Sequence, residues 1–428
     1  MKVAVAGLGF VGLPLTLLLA ESGHHVVGYD VDSSRVGALQ KGRNPLGPGE
    51  RDIDELLEKG HLGSHLLFTT KKEEMGGSEV YVLAVQTPID EKTHRMDQGP
   101  LASVIRDIAR NLTRGSLVLV ESTLAPNTMR DLILPELTTG SGLSYPKEFG
   151  LAYSPERVTS GKLIYNMKHV DKLLGVQDAE SERRAVEFYK TFHRAALHVC
   201  DWVSAEVAKT AENAYWDVQI GFANELALLC ERYGASVWKV RELVNSCPQR
   251  QVLLPGTGVG GACIPKDPWL LLGEARLHGV LEAARSRNST MPDHVVEMIR
   301  SSLAEVGRDV RGSIVTILGL AYRGGSSDWR ASPSLRLEEL LRAGGAEVRI
   351  HDPLVEGRDG VFRDVTESVK GADCLVISTA HEEYLGLDLG TLGVGMRTRV
   401  LVDGRGVVSS EAARKAGFTF AQLGLGIS

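Results

Sequence analysis

One segment of the chain places a thiol in a glycine-rich loop beside a lysine and an aspartate: Gly256-Thr257-Gly258-Val259-Gly260-Gly261-Ala262-Cys263-Ile264-Pro265-Lys266-Asp267. A nearby cation favours the thiolate below the ordinary cysteine pKa of ~8.5, so Cys263 has the makings of a nucleophile. Of the other thiols, Cys200, Cys230 and Cys374 read as core residues, and Cys247 is left open. A second segment, Gly7-Leu8-Gly9-Phe10-Val11-Gly12, matches GxGxxG after an apolar strand and before an apolar helix. Asp30 closes the next strand, which is the context a dinucleotide fingerprint requires. In it Gly7 permits the tight turn, Gly9 lets backbone reach a pyrophosphate and Gly12 allows close helix packing. Asp30 would accept hydrogen bonds from a ribose diol and repel a 2′-phosphate. That favours NAD over NADP, with Arg35 leaving the phosphorylated form open.

The elements that must position these groups follow from the apolar runs. Val3 to Ala6, a helix over 13–22 and His25 to Tyr29 form a βαβ unit, and further strands fall at 80–85, 117–120 and 151–153. They predict a parallel, doubly wound sheet. The stretch from Ser204 to Gly234 lacks proline and predicts one helix of roughly 40 Å, long enough to connect domains and to pair two subunits. Beyond Gly312 the first unit is echoed by a strand over 314–318, a Gly-rich loop, a helix over 334–343 and a strand ending at Asp352. Ala321 stands where the first copy has Gly9, so the two copies should bind different ligands. The expected fold is α/β, with two Rossmann-like doubly wound domains (1–200 and 306–428) joined by a central helical domain (201–305).

Composition narrows the function classes. The 428 residues are 43% hydrophobic and 24% charged, ordinary for a globular protein, with a net charge of −6 that attracts neither nucleic acid nor an anionic bilayer. Lys2 and the apolar run from Val3 to Ala20 imitate a secretory signal, but the glycine spacing reads as strand, turn and helix. No other run reaches the ~18 apolar residues of a membrane span. The five cysteines are widely spaced with no CxxC pair, which suits reduced thiols in the cytoplasm. The twelve histidines are scattered and form no metal-ligand pattern.

GLGFVGLP, ESTLAP, SPERV, KTAENAYWD and GVGGACIPKDP, followed by GLAYRGGSSDWRASP and VDGRG, together resemble the UDP-glucose/GDP-mannose dehydrogenase family, the nucleotide-sugar 6-dehydrogenases. The resemblance covers essentially the whole chain. It implies oxidation of a sugar C6 alcohol to the carboxylate in two hydride transfers to NAD, with Cys263 carrying a thiohemiacetal and then a thioester. It also implies that Lys209 and Asn213, one helical turn apart, stabilise charge at the reacting oxygen. Asp267 and Thr123 would hold a water for proton transfer, and Glu156 would be the base of thioester hydrolysis. The cofactor would be held by Gly7, Gly9, Phe10, Val11, Gly12, Asp30, Arg35, Thr87 and Thr123. The UDP-sugar would be held by Glu156, Arg157, Lys209, Asn213, Arg250, Gly260, Arg323, Arg330 and Arg405, with Asp328 nearby. Arg323 replaces the more usual lysine, and Arg250 would reach a partner subunit's substrate or remain a plain surface residue.

ESTLAP and GVGG look most like members acting on UDP-N-acetylhexosamines. UDP-N-acetylmannosamine therefore ranks first, UDP-N-acetylglucosamine second and UDP-glucose third. Ala262, Lys266 and Ser160 depart from that subgroup's pattern. Two other classes compete: a two-electron hydroxyacid-type dehydrogenase, which has no use for Cys263, and a non-catalytic nucleotide-sugar sensor. A homodimer through the long helix is expected.

Overall fold

The computed structural model describes residues 1–47, 50–58, 65–158, 161–273, 275 and 279–426; Ser160 lies outside them. The chain divides into two compact units. One comprises Met1–Glu212 with Trp269–Arg276, the other Asn213–Pro268 with Leu277–Ser428.

The first unit is built on eight strands: β1 (Lys2–Ala6), β2 (His25–Tyr29), β3 (Leu66–Thr69), β4 (Val80–Leu83), β5 (Leu117–Val120), β6 (Gly150–Tyr153), β7 (Lys172–Gly175) and β8 (Leu197–Cys200). Their order is β3-β2-β1-β4-β5-β6-β7-β8. Both faces of this sheet are covered, so its strands are apolar throughout rather than alternating. Val3 and Val5 of β1 enter one core while Ala4 and Ala6 enter the other. The helix Gly12–Glu21 is buried from Gly12 to Ala20, and that burial accounts for the signal-like run at the start of the sequence.

One part of the sheet departs from the expected parallel arrangement. β7 runs antiparallel to β6, with Tyr153 opposite Gly175, and β8 is parallel to β7. Continuing that register beyond β6 sets Lys172, at the start of β7, opposite Glu156, and the Ser154 hydroxyl donates to Leu173 O at 2.7 Å.

In the second unit β9 (Ile314–Leu318), β10 (Glu347–His351), β11 (Val361–Phe362), β12 (Cys374–Ile377), β13 (Val400–Asp403) and β14 (Thr419–Gln422) form a parallel sheet. Its order is β11-β10-β9-β12-β13-β14. Val295, Ile299 and Leu303 of the helix Val280–Glu305 pack into its core.

The predicted long helix is Trp202–Tyr233, 32 residues and about 48 Å. Ala205, Lys209, Ala214, Asn224, Ala227 and Cys230 are buried along it, whereas Tyr215, Phe222 and Leu229, spaced by sevens, are exposed. Its internal glycine is explained by close approach: a Cβ at Gly221 would lie 2.8 Å from Ala284 Cβ. Cys230 and Cys374 are buried as expected of core thiols, Cys200 is half-buried, and Cys247 and Cys263 are exposed. No described helix is long and apolar enough to cross a membrane.

Candidate active site

The turn after β1 has the form a dinucleotide needs. Gly7 has φ +97°, a left-handed conformation costly for any other residue, and a Cβ there would lie 2.5 Å from Ala84 O. A Cβ at Gly12 would sit 1.7 Å from Gly7 O, so the first turn of the helix lies directly on the loop. Around Gly9, in contrast, no atom lies within 4 Å of such a Cβ, and its N–H has no acceptor among the described residues. The backbone is open where a pyrophosphate would approach, with half-buried Phe10 and Val11 leading into the helix. Asp30 is 6% exposed and accepts from Leu8 N at 2.8 Å, Asp32 N at 2.9 Å and Arg35 Nη1 at 2.9 Å. These residues fit NAD. Thr87 and Thr123 meet, the Thr87 hydroxyl donating to Thr123 O at 2.6 Å. The Thr123 hydroxyl makes no bond among the described residues.

Glu156 follows β6. Its Oε1 accepts from Arg157 N at 2.8 Å and its Oε2 from Lys172 Nζ at 2.7 Å. Lys172 also donates to Glu121 Oε2 at 2.6 Å, and the Tyr189 hydroxyl donates to Glu121 Oε1 at 2.5 Å. Burial pushes Glu121 up against the opposing pull of Lys172. The same burial pulls Lys172 down, but the two carboxylates outweigh it and hold the ammonium above its ordinary value. Glu121 was visible in the sequence only as part of ESTLAP, and Lys172 carried no signal of its own. The Arg157 guanidinium is engaged by the Glu212 carboxylate and by Asp171 O. Lys209 is 8% exposed, and its ammonium has no ion pair or hydrogen bond among the described residues.

In the second unit Asn213 Nδ2 donates to Asp267 Oδ2 at 2.5 Å. Asp267 is fully buried, with Lys266 Nζ 3.4 Å from its other oxygen. Cys263 is exposed, and its carbonyl accepts Lys266 N at 3.0 Å and Asp267 N at 2.8 Å, fixing the thiol's backbone to these residues. The glycines before it are close-packed. A Cβ at Gly260 would lie 2.6 Å from Tyr322 Cβ, Gly261 N donates to Arg330 O at 2.9 Å, and Gly256 lies against the Arg405 guanidinium. Arg330 forms a fork on Asp328 at 2.9 and 2.6 Å, which raises its pKa, and the Cys263 thiolate charge adds to that effect. Burial raises the Tyr322 phenol, with Asp328 and then Cys263 contributing. Arg405 is pulled down by burial against the attraction of Asp403, and its Nε is unpartnered among the described residues. Arg250 and Arg323 are exposed.

The second Rossmann-like turn differs as its sequence predicts. Asp352, counterpart of Asp30, accepts both Leu320 N at 2.7 Å and Ala321 N at 2.9 Å, together with Leu354 N, Val355 N and His381 Nε2. Burial opposes its ionisation, yet the His381 and backbone bonds win and hold it at about 2. The N–H left open at Gly9 is therefore consumed at Ala321.

Comparison with known proteins agrees with this division of labour. Residues 1–193 match the NAD binding domain of the UDP-glucose/GDP-mannose dehydrogenase family, 203–290 its central domain and 316–410 its UDP binding domain. The UDP-N-acetyl-D-mannosamine dehydrogenase of Pyrococcus horikoshii is 35% identical over 100% of both chains. A solved structure of UDP-D-ManNAc dehydrogenase from that organism superposes with a TM-score of 0.93, at 34% identity over 100% of both chains. The structure of NDP-N-acetyl-D-galactosaminuronic acid dehydrogenase from Methanosarcina mazei gives 0.86 at 32% identity, covering 99% of this chain and 95% of that one. With an open glycine turn for NAD in one unit and a UDP binding domain in the other, the chain belongs to the UDP-glucose/GDP-mannose dehydrogenase family and is an NAD-dependent nucleotide-sugar dehydrogenase.

Proposed function

We propose that the protein oxidises the C6 alcohol of a UDP-N-acetylhexosamine, UDP-N-acetyl-D-mannosamine first among them, to the uronate with two equivalents of NAD. The observation that carries this is the exposed Cys263 thiol, fixed by its carbonyl to Asp267, which is in turn bonded to Asn213. A two-electron dehydrogenase would need no such thiol. The names of the Pyrococcus horikoshii relatives support the choice of sugar.

NAD, when bound, supplies the hydride acceptor for both oxidations. Gly7, Gly9, Phe10, Val11, Gly12, Asp30, Arg35, Thr87 and Thr123 hold it. Lys209, buried and without a protein partner among the described residues, meets the charge that develops on the C6 oxygen. Asn213 donates to the same oxygen, while Thr123 and Asp267 hold the water that takes the proton. At the aldehyde stage Cys263 adds to C6, and oxidation of the resulting thiohemiacetal leaves a thioester. Glu156 then takes a proton from water as its oxygen adds to the thioester carbon. The C–S bond breaks, and the pair returns to sulfur. Arg250, Gly260, Arg323, Arg330 and Arg405 bind the nucleotide-sugar, the guanidinium groups suiting its pyrophosphate. Arg157 contributes by anchoring the segment that carries Glu156.

The apolar stripe of Tyr215, Phe222 and Leu229 on the long helix is the surface we assign to a homodimer. The thiol chemistry and the NAD requirement support a cytoplasmic location. The test is turnover on UDP-N-acetylmannosamine, UDP-N-acetylglucosamine and UDP-glucose in parallel. The highest kcat/KM is expected for the first. A preference of tenfold or more for either of the others would reassign the sugar, and binding without turnover on any would indicate a sensor.

A further inference from the structure

The Glu156 carboxylate does not stand alone. Antiparallel pairing of β7 with β6 carries Lys172 back to it, and the ammonium bridges Glu156 at 2.7 Å and Glu121, which follows β5, at 2.6 Å. The side chains of Lys172, Glu121 and Glu156 are 5%, 1% and 8% exposed. A buried lysine between two buried carboxylates leaves one negative charge uncompensated when all three are ionised. In so dry a place that excess favours retention of one proton. Tyr189 caps the far oxygen of Glu121 as a donor, and its own ionisation is opposed by burial and by the Glu121 charge. The remaining charged neighbours are committed elsewhere: Arg157 to Glu212, and Asp171, just before Lys172, to His198 at 2.8 Å. A purely structural ion pair needs one carboxylate; the second makes Lys172 a divider of charge between them.

Building on the role of Glu156 as hydrolytic base, we propose that Lys172 and Glu121 are positioning residues that orient Glu156, and so govern thioester hydrolysis rather than sugar oxidation. Lys172 fixes Oε2 of Glu156 while Arg157 N fixes Oε1, aiming the remaining lone pairs. Glu121 holds the ammonium from its other side, so that Lys172 has one fixed position from which to direct Glu156. In hydrolysis Glu156 takes the water proton, the water oxygen bonds to the thioester carbon, and Cys263 leaves as thiolate. No redox partner is needed at this step.

The experiment is rapid mixing with excess NAD and whichever of the three sugar nucleotides gives the highest turnover, followed by intact-mass measurement of the enzyme. Glu156→Gln should give a burst of two NADH per subunit and an acyl adduct on Cys263. Without that adduct, the assignment of Glu156 as base fails whatever Lys172 does. Lys172→Met should show the same burst, with hydride-transfer rates within about threefold of wild type and hydrolysis slowed roughly a hundredfold. Lys172→Arg should restore hydrolysis to within about tenfold, because it keeps the charge between the two carboxylates. Glu121→Gln preserves the shape and the Tyr189 contact but loses the charge that holds the Lys172 ammonium, and should slow hydrolysis roughly tenfold while hydride transfer stays within about threefold of wild type; this variant decides if Lys172→Met does not fold. An adduct in Glu156→Gln but none in Lys172→Met, with burst and steady-state rate falling in proportion, would leave Glu156 as base and overturn the proposal. So would wild-type hydrolysis in Glu121→Gln.

Discussion

Adding a single methyl group at Gly9 or at Gly12 should produce opposite defects, although the two residues belong to one motif. At Gly9 the methyl meets nothing within 4 Å, and φ is not in the left-handed region, so the fold has no reason to resist alanine. The methyl instead occupies the space where the cofactor's pyrophosphate must approach. An increase of tenfold or more in the KM for NAD is expected, about 1.4 kcal/mol or more of lost binding. At Gly12 the same methyl would lie 1.7 Å from Gly7 O and 2.9 Å from Gly7 C. Both are backbone atoms of a loop that is itself pinned, since Gly7 N donates to Tyr29 O at 2.8 Å. Relief requires moving the helix away from the sheet, at a cost of at least the ~1–3 kcal/mol typical of overpacked cores. Thermal melting and the KM for NAD should be measured on both variants. Gly9→Ala should melt like wild type and bind NAD poorly, whereas Gly12→Ala should melt several degrees lower. Wild-type NAD affinity in Gly9→Ala, or a wild-type melting temperature in Gly12→Ala, would refute the roles assigned to these glycines.

Burial raises Glu206 on the long helix to about 7, against the pull of hydrogen bonds from Asn127 N and Met129 N, both at 2.7 Å. Between the ordinary glutamate value of 4.5 and about 7 the folded protein keeps a proton that the unfolded chain has lost, so this group's contribution to stability falls as pH rises through that window. The loss is about 3 kcal/mol by pH 8; the wild-type melting curve should therefore drop relative to Glu206→Gln between pH 5 and pH 8, and parallel curves would contradict it. Tyr215→Arg combined with Phe222→Arg should convert a dimer to monomer in sedimentation equilibrium while leaving helix content unchanged; a retained dimer would move the interface off the long helix.

Strands such as LVLV in β5 and IVTIL in β9 were legible because both faces of each sheet are covered, which turns buried strands into continuous apolar runs. The glycine turn was legible because backbone contact leaves few alternatives at Gly7 and Gly12. The reversal of β7 was not. KLLG reads the same in either direction, and its sense is set by pairing with Tyr153, far from it in sequence. The Glu121–Lys172–Glu156 group was hidden for the same reason, since its members come from three separate strand ends. Arg157 illustrates the opposite limit. Its guanidinium is an obvious anion ligand by type, yet the fold engages it with Glu212, a partner 55 residues away. Cys263 stood out because its surroundings are local: the loop glycines, Lys266 and Asp267 lie within one short segment.

The most direct measurement is the number of NADH formed per molecule of limiting UDP-N-acetylmannosamine, for wild type and for Cys263→Ala. Two NADH per sugar in the wild type, with the second lost in the variant, is the result that thioester chemistry at Cys263 predicts. One NADH per sugar, unchanged by the substitution, would contradict it.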